Sequence, residues 1–399
     1  MTAPTKPGSI YTLPFGLLCL SSFLFSASFN MLLPELPAYL SSLGGAEYKG
    51  LIIALFTLTA GLSRPFSGKL TDNIGRIPVM AIGSIVCFVC GFLYPVLGSV
   101  AGFLFIRLIH GFSTGFKPTA TAAYVADIVP STKWGEAMGI HGLCFSTGLG
   151  IGPAIGSAIT MYSSIDMLFY CSSLFALLSI VIVMNMKETL PLKKRFEFSH
   201  LKIGRNEIIE KQVLPSAIIT FLTYFSYGAL ITLIPDWSQH LGILNKGIFF
   251  LTFTFSSLLI RFAAGKISDQ YGRILMLKVS TALIAFSMIL IGHASGMLSL
   301  IIASIAYGIA TGIQSPALNA WTIDLSHPDR RGKAVATMYI ALEAGIGIGA
   351  LVAGWLFMDN VKMIPTIFYI SSLMSLTGLI YLIFVYKKRD ADASGLRSF

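Results

Sequence analysis

Twelve stretches of this chain are apolar for roughly twenty residues each, the length an α-helix needs to cross a bilayer. They lie near 11–33, 48–70, 78–98, 100–126, 136–160, 166–186, 214–236, 246–268, 275–294, 297–323, 333–357 and 363–386. Backbone inside hydrocarbon must satisfy its own hydrogen bonds, so segments of this kind are helices. The expected fold class is all-α integral membrane, with 12 transmembrane helices arranged as two pseudo-symmetric six-helix bundles. Composition leaves no alternative. Only 12% of the residues are charged and 55% are hydrophobic, whereas a soluble domain carries about 25% charge. There is too little charge to cover a water-facing surface.

The net charge of +10 suggests nucleic acid only until its distribution is considered. The basic residues gather in a few short loops, which is the positive-inside pattern. Lys187, Lys193, Lys194, Arg195, Lys202, Arg205 and Lys211 crowd one segment, and Arg330, Arg331 and Lys333 crowd another. Lys387, Lys388 and Arg389 follow the last span on the same side, and only Lys49, Lys246 and Lys362 stand opposite. The expected location is the cytoplasmic (inner) membrane, multi-pass, with both termini cytoplasmic. The lipid bilayer is a partner and nucleic acid is not. Lys6 alone precedes the first span, which is too long for a signal peptide and is read as a retained helix.

The two halves repeat each other. Residues 63–80 read SRPFSGKLTDNIGRIPVM and residues 260–277 read IRFAAGKISDQYGRILML. Gly265 stands 197 residues after Gly68, and the same spacing joins Asp72 to Asp269, Gly75 to Gly272, Arg76 to Arg273 and Asp127 to Asp324. Gly111 and Gly115 pair with Gly308 and Gly312, and Gly148, Gly150 and Gly152 with Gly345, Gly347 and Gly349. The expected domains are a bundle over 1–186, a cytoplasmic linker over 187–212 and a second bundle over 213–399. A duplication embedded in membrane helices points to a transporter whose halves rock against each other.

Cys19, Cys87, Cys90, Cys144 and Cys171 all fall in apolar segments and read as packing residues. The six histidines lack metal-ligand spacing. No metal and no cofactor is expected, and no nucleophile–base constellation suggests an enzyme.

GKLTDNIGR and GKISDQYGR closely resemble the signature turn of the major facilitator superfamily, and the resemblance extends over nearly the whole chain. Gly68 and Gly265 are expected to admit a neighbouring helix. Arg76 and Arg273 are expected to pair with carboxylates such as Asp127 and Asp324, making the two turns a cytoplasmic gate. Gly139, Gly148, Gly152, Pro153 and Gly156 resemble the helix-5 motif of the drug:proton antiporter branch, with Ser157 where that motif has a second glycine. Arg107, Gly111 and Gly115 resemble the helix-4 motif linked in the superfamily to proton transfer.

Several residues carry chemistry of their own. Glu343 is the one carboxylate expected in the middle of a span; its first-half counterpart is Ser146. Intramembrane charges are costly and mark function by default. Glu343 is read as a proton or substrate carrier, with Arg107 tuning it. Lys117 and His110 share the fourth helix with Arg107 and offer positive charge. Glu35, between Pro34 and Pro37, is a second acidic candidate, although some drug-exporter relatives place an acid deeper, where this chain has Ser22, Ser26 and Asn30. His141 reads as a packing residue with one hydrogen bond. The resemblance implies that helices 1, 4, 7 and 10 line a cavity, which would draw on Asn30, Tyr124, Tyr224, Tyr227, Tyr307, Gln314, Asn319 and Trp321. Aromatics with a few amides suit an amphipathic organic molecule.

The expectation is a monomeric proton-coupled antiporter that exports a small amphipathic organic compound by alternating access, its partners being that substrate and protons. A proton symporter importing an anionic metabolite and a lipid flippase stay open as alternatives.

Overall fold

The computed structural model describes residues 10–130, 133–191, 194, 196–197, 209–327 and 330–385, apart from the side chains of residues 262–263, 265–267, 269 and 385. Lys193, Arg195, Lys202, Arg205 and the 387–389 cluster therefore lie outside the described residues, as do the side chains of Lys266 and Asp269 and the surroundings of Gly265.

Twelve long helices carry the chain: α1 Leu13–Asn30, α2 Lys49–Asn73, α3 Arg76–Leu93, α4 Val100–Ile128, α5 Trp134–Tyr162, α6 Ile165–Met184, α7 Leu214–His240, α8 Ile248–Tyr271, α9 Arg273–Gly292, α10 Met297–Leu325, α11 Arg331–Phe357 and α12 Ile364–Ile380. No strand occurs among the described residues. Ten of the twelve are apolar and long enough to span by composition alone. Arg107 and Lys117 dilute the hydropathy of α4, and in α8 the described apolar run is Ile248–Arg261.

Local chemistry sets several helix starts. The hydroxyls of Ser99 and Ser164 accept the N–H groups of Gly102 and Met167 at 3.1 and 3.2 Å, satisfying donors that have no partner within the helix. The first apolar stretch is not one helix. It stops at Asn30 and restarts as a short helix, Leu36–Ser42. Pro34 has no N–H to continue the ladder, and Leu33 N–H bonds Asn30 O at 3.1 Å instead.

The repeated turns are tighter than the motif suggests. Gly68 and Asp72 still belong to α2, and only Ile74 and Gly75 separate it from α3. In the second copy Gly272 alone separates α8 from α9. Gly75 has φ 123° and Gly272 φ 87°, a region closed to most residues with a Cβ.

The structure divides into two compact units. One comprises residues 1–44 and 55–205, the other 45–54 and 206–399. Each is held by glycine seams, as expected where lipid supplies no hydrophobic drive and close backbone approach must hold helices together. In the first unit, a Cβ on Gly148 would lie 2.6 Å from Phe23 O and one on Gly152 2.9 Å from Ala27 O, so α5 rides directly on α1. In the second, a Cβ on Gly345 would lie 2.6 Å from Phe221 O, and α11 rides on α7 in the same way. Gly111 and Gly115 bring α4 against Phe56 and Ala60 of α2, and Gly308 and Gly312 bring α10 against Phe253 and Ser257 of α8. Gly68 has nothing within 4 Å, so the close approach expected there belongs to Gly111 and Gly115 on the facing helix.

Candidate functional site

In the first unit Arg107, His110 and Lys117 of α4 are all buried and all engaged. Arg107 is 1% exposed; its guanidinium donates to the Tyr94 hydroxyl at 3.3 Å and lies 4.6 Å over the Phe56 ring. The Tyr94 hydroxyl also meets His110 Nδ1 at 3.2 Å, and His110 Nε2 meets Cys87 Sγ at 3.3 Å. Cys87 is in turn 3.0 Å from the Ser28 hydroxyl. Lys117 turns elsewhere. Its ammonium donates to the Ser21 carbonyl and hydroxyl at 3.1 and 2.8 Å and to the Ser179 hydroxyl, with the Phe25 ring 4.8 Å away. Gly83 makes room for it, since a Cβ there would strike the Lys117 backbone and Cβ. A lysine that looks like an anion receptor on a helical wheel is thus a packed strut among α1, α4 and α6. The His141 ring meets the Ser22 hydroxyl through Nε2 at 2.8 Å.

Glu35 is 8% exposed at the break after α1, where its Oε1 accepts the Ser157 hydroxyl at 2.8 Å. Ser157 is the position at which the helix-5 motif departs from its pattern. A glycine there would leave no hydroxyl for the carboxylate, so the departure carries a contact. Asn30 folds back on its own helix and donates to Ser26 O at 2.8 Å.

The first repeated turn is held by charge. Arg76 donates through Nε to Asp127 at 2.9 Å and through a terminal nitrogen to Thr71 O at 2.7 Å, with Asp72 3.5 Å away. Glu188, just past α6, adds a carboxylate at the start of α3, where it accepts the N–H groups of Arg76 and Ile77 at 3.0 and 3.2 Å. It also takes those of Thr189 and Leu190 at 2.9 and 3.0 Å. Burial opposes its charge, but the N–H groups of Leu190, Arg76, Ile77 and Thr189 together hold the carboxyl below its ordinary range. An anion at a helix N-terminus is also favoured by the helix dipole. In the second copy Arg273 reaches Asp324 at 3.3 Å and the Ser268 hydroxyl at 3.2 Å. Each turn is thus tied to the fourth helix of its own unit.

The second unit holds the buried carboxylate. Glu343, 8% exposed, sits near the middle of α11. Tyr339 lies one turn back on the same face. Tyr224 on α7 lies within electrostatic reach of Tyr339, Arg261 and Glu343. From Tyr224 an aromatic row continues: Tyr227 at 6.3 Å between ring centroids, Phe253 at 6.2 Å from Tyr227, and Tyr307 at 5.4 Å from Phe253. Gln314, 2% exposed, donates to the Thr223 hydroxyl at 2.6 Å, while its amide oxygen is buried with no hydrogen-bond partner among the described residues.

Asn30, on α1 of the first unit, Tyr124 and Asn319 of the sequence-derived cavity set stand apart from this group. Tyr124 donates its hydroxyl to Lys187 O at 2.8 Å. Trp321 packs in the apolar cluster of Ile219, Leu318 and Met338, against which Tyr224 also packs. Asn319 is exposed and donates to Ser315 O of its own helix at 2.8 Å. Hydropathy locates a residue along a helix but leaves its direction open where all faces are apolar.

Sequence reasoning missed Arg261. It lies on α8 inside the repeated block, 197 residues after Arg64, and this recurrence was the signal that could have found it. A second omission is the group around Lys49, which donates to Asp236 at 2.7 Å and to Asp359 at 2.6 Å. Asp359 and Met358 are the two non-glycine residues with positive φ, 57° and 42°, among the described residues.

Comparison with known proteins agrees with this architecture. The family model described as Major Facilitator Superfamily matches residues 18–214 and 216–398. The chain belongs to the major facilitator superfamily. Relatives of this superfamily member include multidrug resistance protein 2 of Bacillus subtilis, 25% identical over 398 residues that cover 96% of this chain and 97% of that one. The multi-drug resistance efflux pump PmrA of Streptococcus pneumoniae is 26% identical over 311 residues, 75% of this chain and 78% of that one. Among solved structures, the human organic anion transporter MFSD10 superposes with a TM-score of 0.71 at 21% identity, covering 92% of this chain and 98% of that one. The twelve helices therefore form the superfamily's fold, and the protein is a multi-pass membrane transporter.

Proposed function

We propose that this transporter is a proton-coupled antiporter that exports a small amphipathic organic compound across the cytoplasmic membrane by alternating access, with both termini cytoplasmic. The observation that carries the reading is Glu343, a buried carboxylate near the middle of α11 beside the phenols of Tyr224 and Tyr339. A carboxylate in that setting gains and loses a proton as its surroundings change. Exchange follows if proton and substrate each bias the same conformational equilibrium in opposite senses. The row Tyr224, Tyr227, Phe253 and Tyr307 supplies flat apolar surface with hydroxyl edges, and Gln314 an amide oxygen, which together suit an amphipathic guest. Relatives named as multidrug resistance pumps support the direction of transport. The excess of basic residues in the linker and the 330–333 loop supports the orientation. Arg76–Asp127 and Arg273–Asp324 fix the two repeated turns to their bundles, so that each can act as one edge of a cytoplasmic gate. The anion-import alternative relied on Arg107, His110 and Lys117 as free positive charge, and all three are engaged in buried contacts within the first unit.

A tolerance panel tests the proposal. The protein and its Glu343→Gln variant are expressed in a bacterial strain lacking its major efflux pumps and challenged with organic cations, neutral compounds and organic anions. Wild type raises tolerance to at least one class and the variant does not. Unchanged or lowered tolerance with wild-type protein in the membrane refutes export.

A further inference from the structure

Arg261 is a half-buried cation for which the function described so far has no use. Its Nε is buried with no hydrogen-bond partner among the described residues. Such a charge is expensive in a membrane and is retained where something needs it. Its neighbours identify what that is. Ile260 and Ala264, on either side of it along α8, belong to the same packed cluster as Tyr224 and Tyr339. Both phenols lie within electrostatic reach of Arg261, and Tyr224 is within reach of Glu343 as well. The seams fix this arrangement. Gly228 meets Ile346 O and Gly345 meets Phe221 O, so Tyr224 runs alongside the Glu343 turn of α11, while Gly312 presses α10 onto Ser257 and Ile260 of α8. Arg107, the cation the sequence suggested for the task, is occupied in the first unit with Tyr94 and Phe56.

Resting on the proton-exchange reading of Glu343, we propose that Arg261 is its counter-charge in the second unit, a positioning residue that acts on the carboxylate through the hydroxyls of Tyr224 and Tyr339. With Glu343 ionised, the guanidinium and carboxylate compensate each other across the phenols. With Glu343 protonated, Arg261 leaves the group with a net positive charge. The remaining titratable and charged groups on elements that pack against α11 begin with Lys49 at the start of α2, where Gly50 meets Ala350 O and Gly354; Lys49 pairs with Asp236 and Asp359. α7 carries Tyr227 in the aromatic row, and Asp236 and His240 at its end. α10 carries Tyr307, and Asp324 paired with Arg273. α12 carries Tyr369, which contacts His293. The three-residue helical turns touching α11 carry Glu47 and Tyr48, Lys211, and Lys362, and Glu210 beside Lys211 lies 3.5 Å from Lys333.

The test is the pH profile of efflux from cells energised at a series of external pH values, with ethidium as probe. Removing a nearby positive charge strengthens a carboxylate's hold on its proton, by about one pH unit or more for close partners. Arg261→Gln is expected to move the half-maximal pH for efflux upward by about one unit, a tenfold change in proton affinity. Arg261→Lys keeps the charge and is expected to stay near wild type, and Tyr224→Phe, which keeps the ring, to shift upward by less. If Arg261→Gln fails to reach the membrane, the Lys and Phe variants carry the test. An unchanged half-maximal pH in Tyr224→Phe and in whichever Arg261→Gln protein assembles overturns the proposal, as does an equal shift in Arg261→Lys. Glu343→Gln separates the two levels. Efflux that survives in Glu343→Gln with its pH dependence intact sinks the proton reading itself, whereas its loss there, beside an unshifted Arg261→Gln, sinks only the role of Arg261.

Discussion

Two glycines of one motif should respond in opposite ways to the same added methyl group. In α5, a Cβ on Gly148 would lie 2.6 Å from Phe23 O, 2.8 Å from Ala27 N and 2.8 Å from Ser26 Cβ. Real Cβ contacts essentially never fall under 3.0 Å, and ordinary contact begins at 3.4 Å. α1 and α5 must therefore separate by about 0.4–0.8 Å at this point in Gly148→Ala, the shortfall between those limits and the Phe23 contact. Two of the obstacles are backbone atoms, which no change of rotamer removes. The separation also loosens the contacts at Gly152 and Gly156 along the same seam. Overpacking of this kind costs about 1–3 kcal/mol, or a fall in melting temperature of roughly 2–12 °C for a unit of this size. Gly139, nine residues earlier in the helix, has nothing within 4 Å. There an alanine gains helix propensity, by up to about 1 kcal/mol, so the melting temperature should hold or rise. Trp134 at the start of α5 reports the transition by fluorescence in purified, detergent-solubilised protein. Equal losses in both variants, or a Gly148→Ala protein as stable as wild type, would refute the assignment of α5's tight face.

Glu188→Gln keeps an acceptor at the start of α3 but removes the charge, for a loss of about 1 kcal/mol at neutral pH. Because the folded carboxyl sits below its ordinary range, its stabilisation is present above that range and disappears as pH falls through the folded value. Melting curves of wild type and variant should therefore differ at pH 7 and converge in acid; a gap that widens in acid contradicts the reading. Lys49→Gln strands Asp236, whose carboxylate is 16% exposed, and breaking such a pair costs on the order of 3 kcal/mol. Lys49→Gln combined with Asp236→Asn should recover much of that loss, and a double variant no better than the single would rule out the pairing as its cause.

The sequence makes the helices and their pseudo-symmetry legible because both depend on patterns that run along the chain. Gly75 and Gly272 fall at the same point of the repeat and both take positive φ. Arg76 with Asp127 and Arg273 with Asp324 recur at one spacing and meet at 2.9 and 3.3 Å. Side-chain direction was not legible. In a soluble helix the polar face marks what points outward, but here lipid and core are equally apolar. Lys117 and Tyr124 therefore gave no hint of facing Ser179 and Lys187. The break after Asn30 was readable from Pro34 and Pro37, yet length alone merged the two helices into one span. Arg261 was visible as a repeat of Arg64 but hidden by the more prominent glycine and aspartate beside it.

The segment joining the two halves is fastened at both ends. Tyr124 holds Lys187, Asn73 O accepts Lys194 N–H at 2.8 Å, and Glu188 caps α3. At the far end Glu210 sits 3.5 Å from Lys333 and 3.7 Å from Arg330, and its N–H bonds the Thr337 hydroxyl at 2.9 Å. For protein engineering these two fastenings mark where the chain tolerates a scar. A reporter domain inserted between residues 198 and 208, or a split there into two co-expressed polypeptides, leaves every one of these bonds with its own half. A cut between Lys187 and Glu188 would place the carboxylate at the first turn of α3 on the other half.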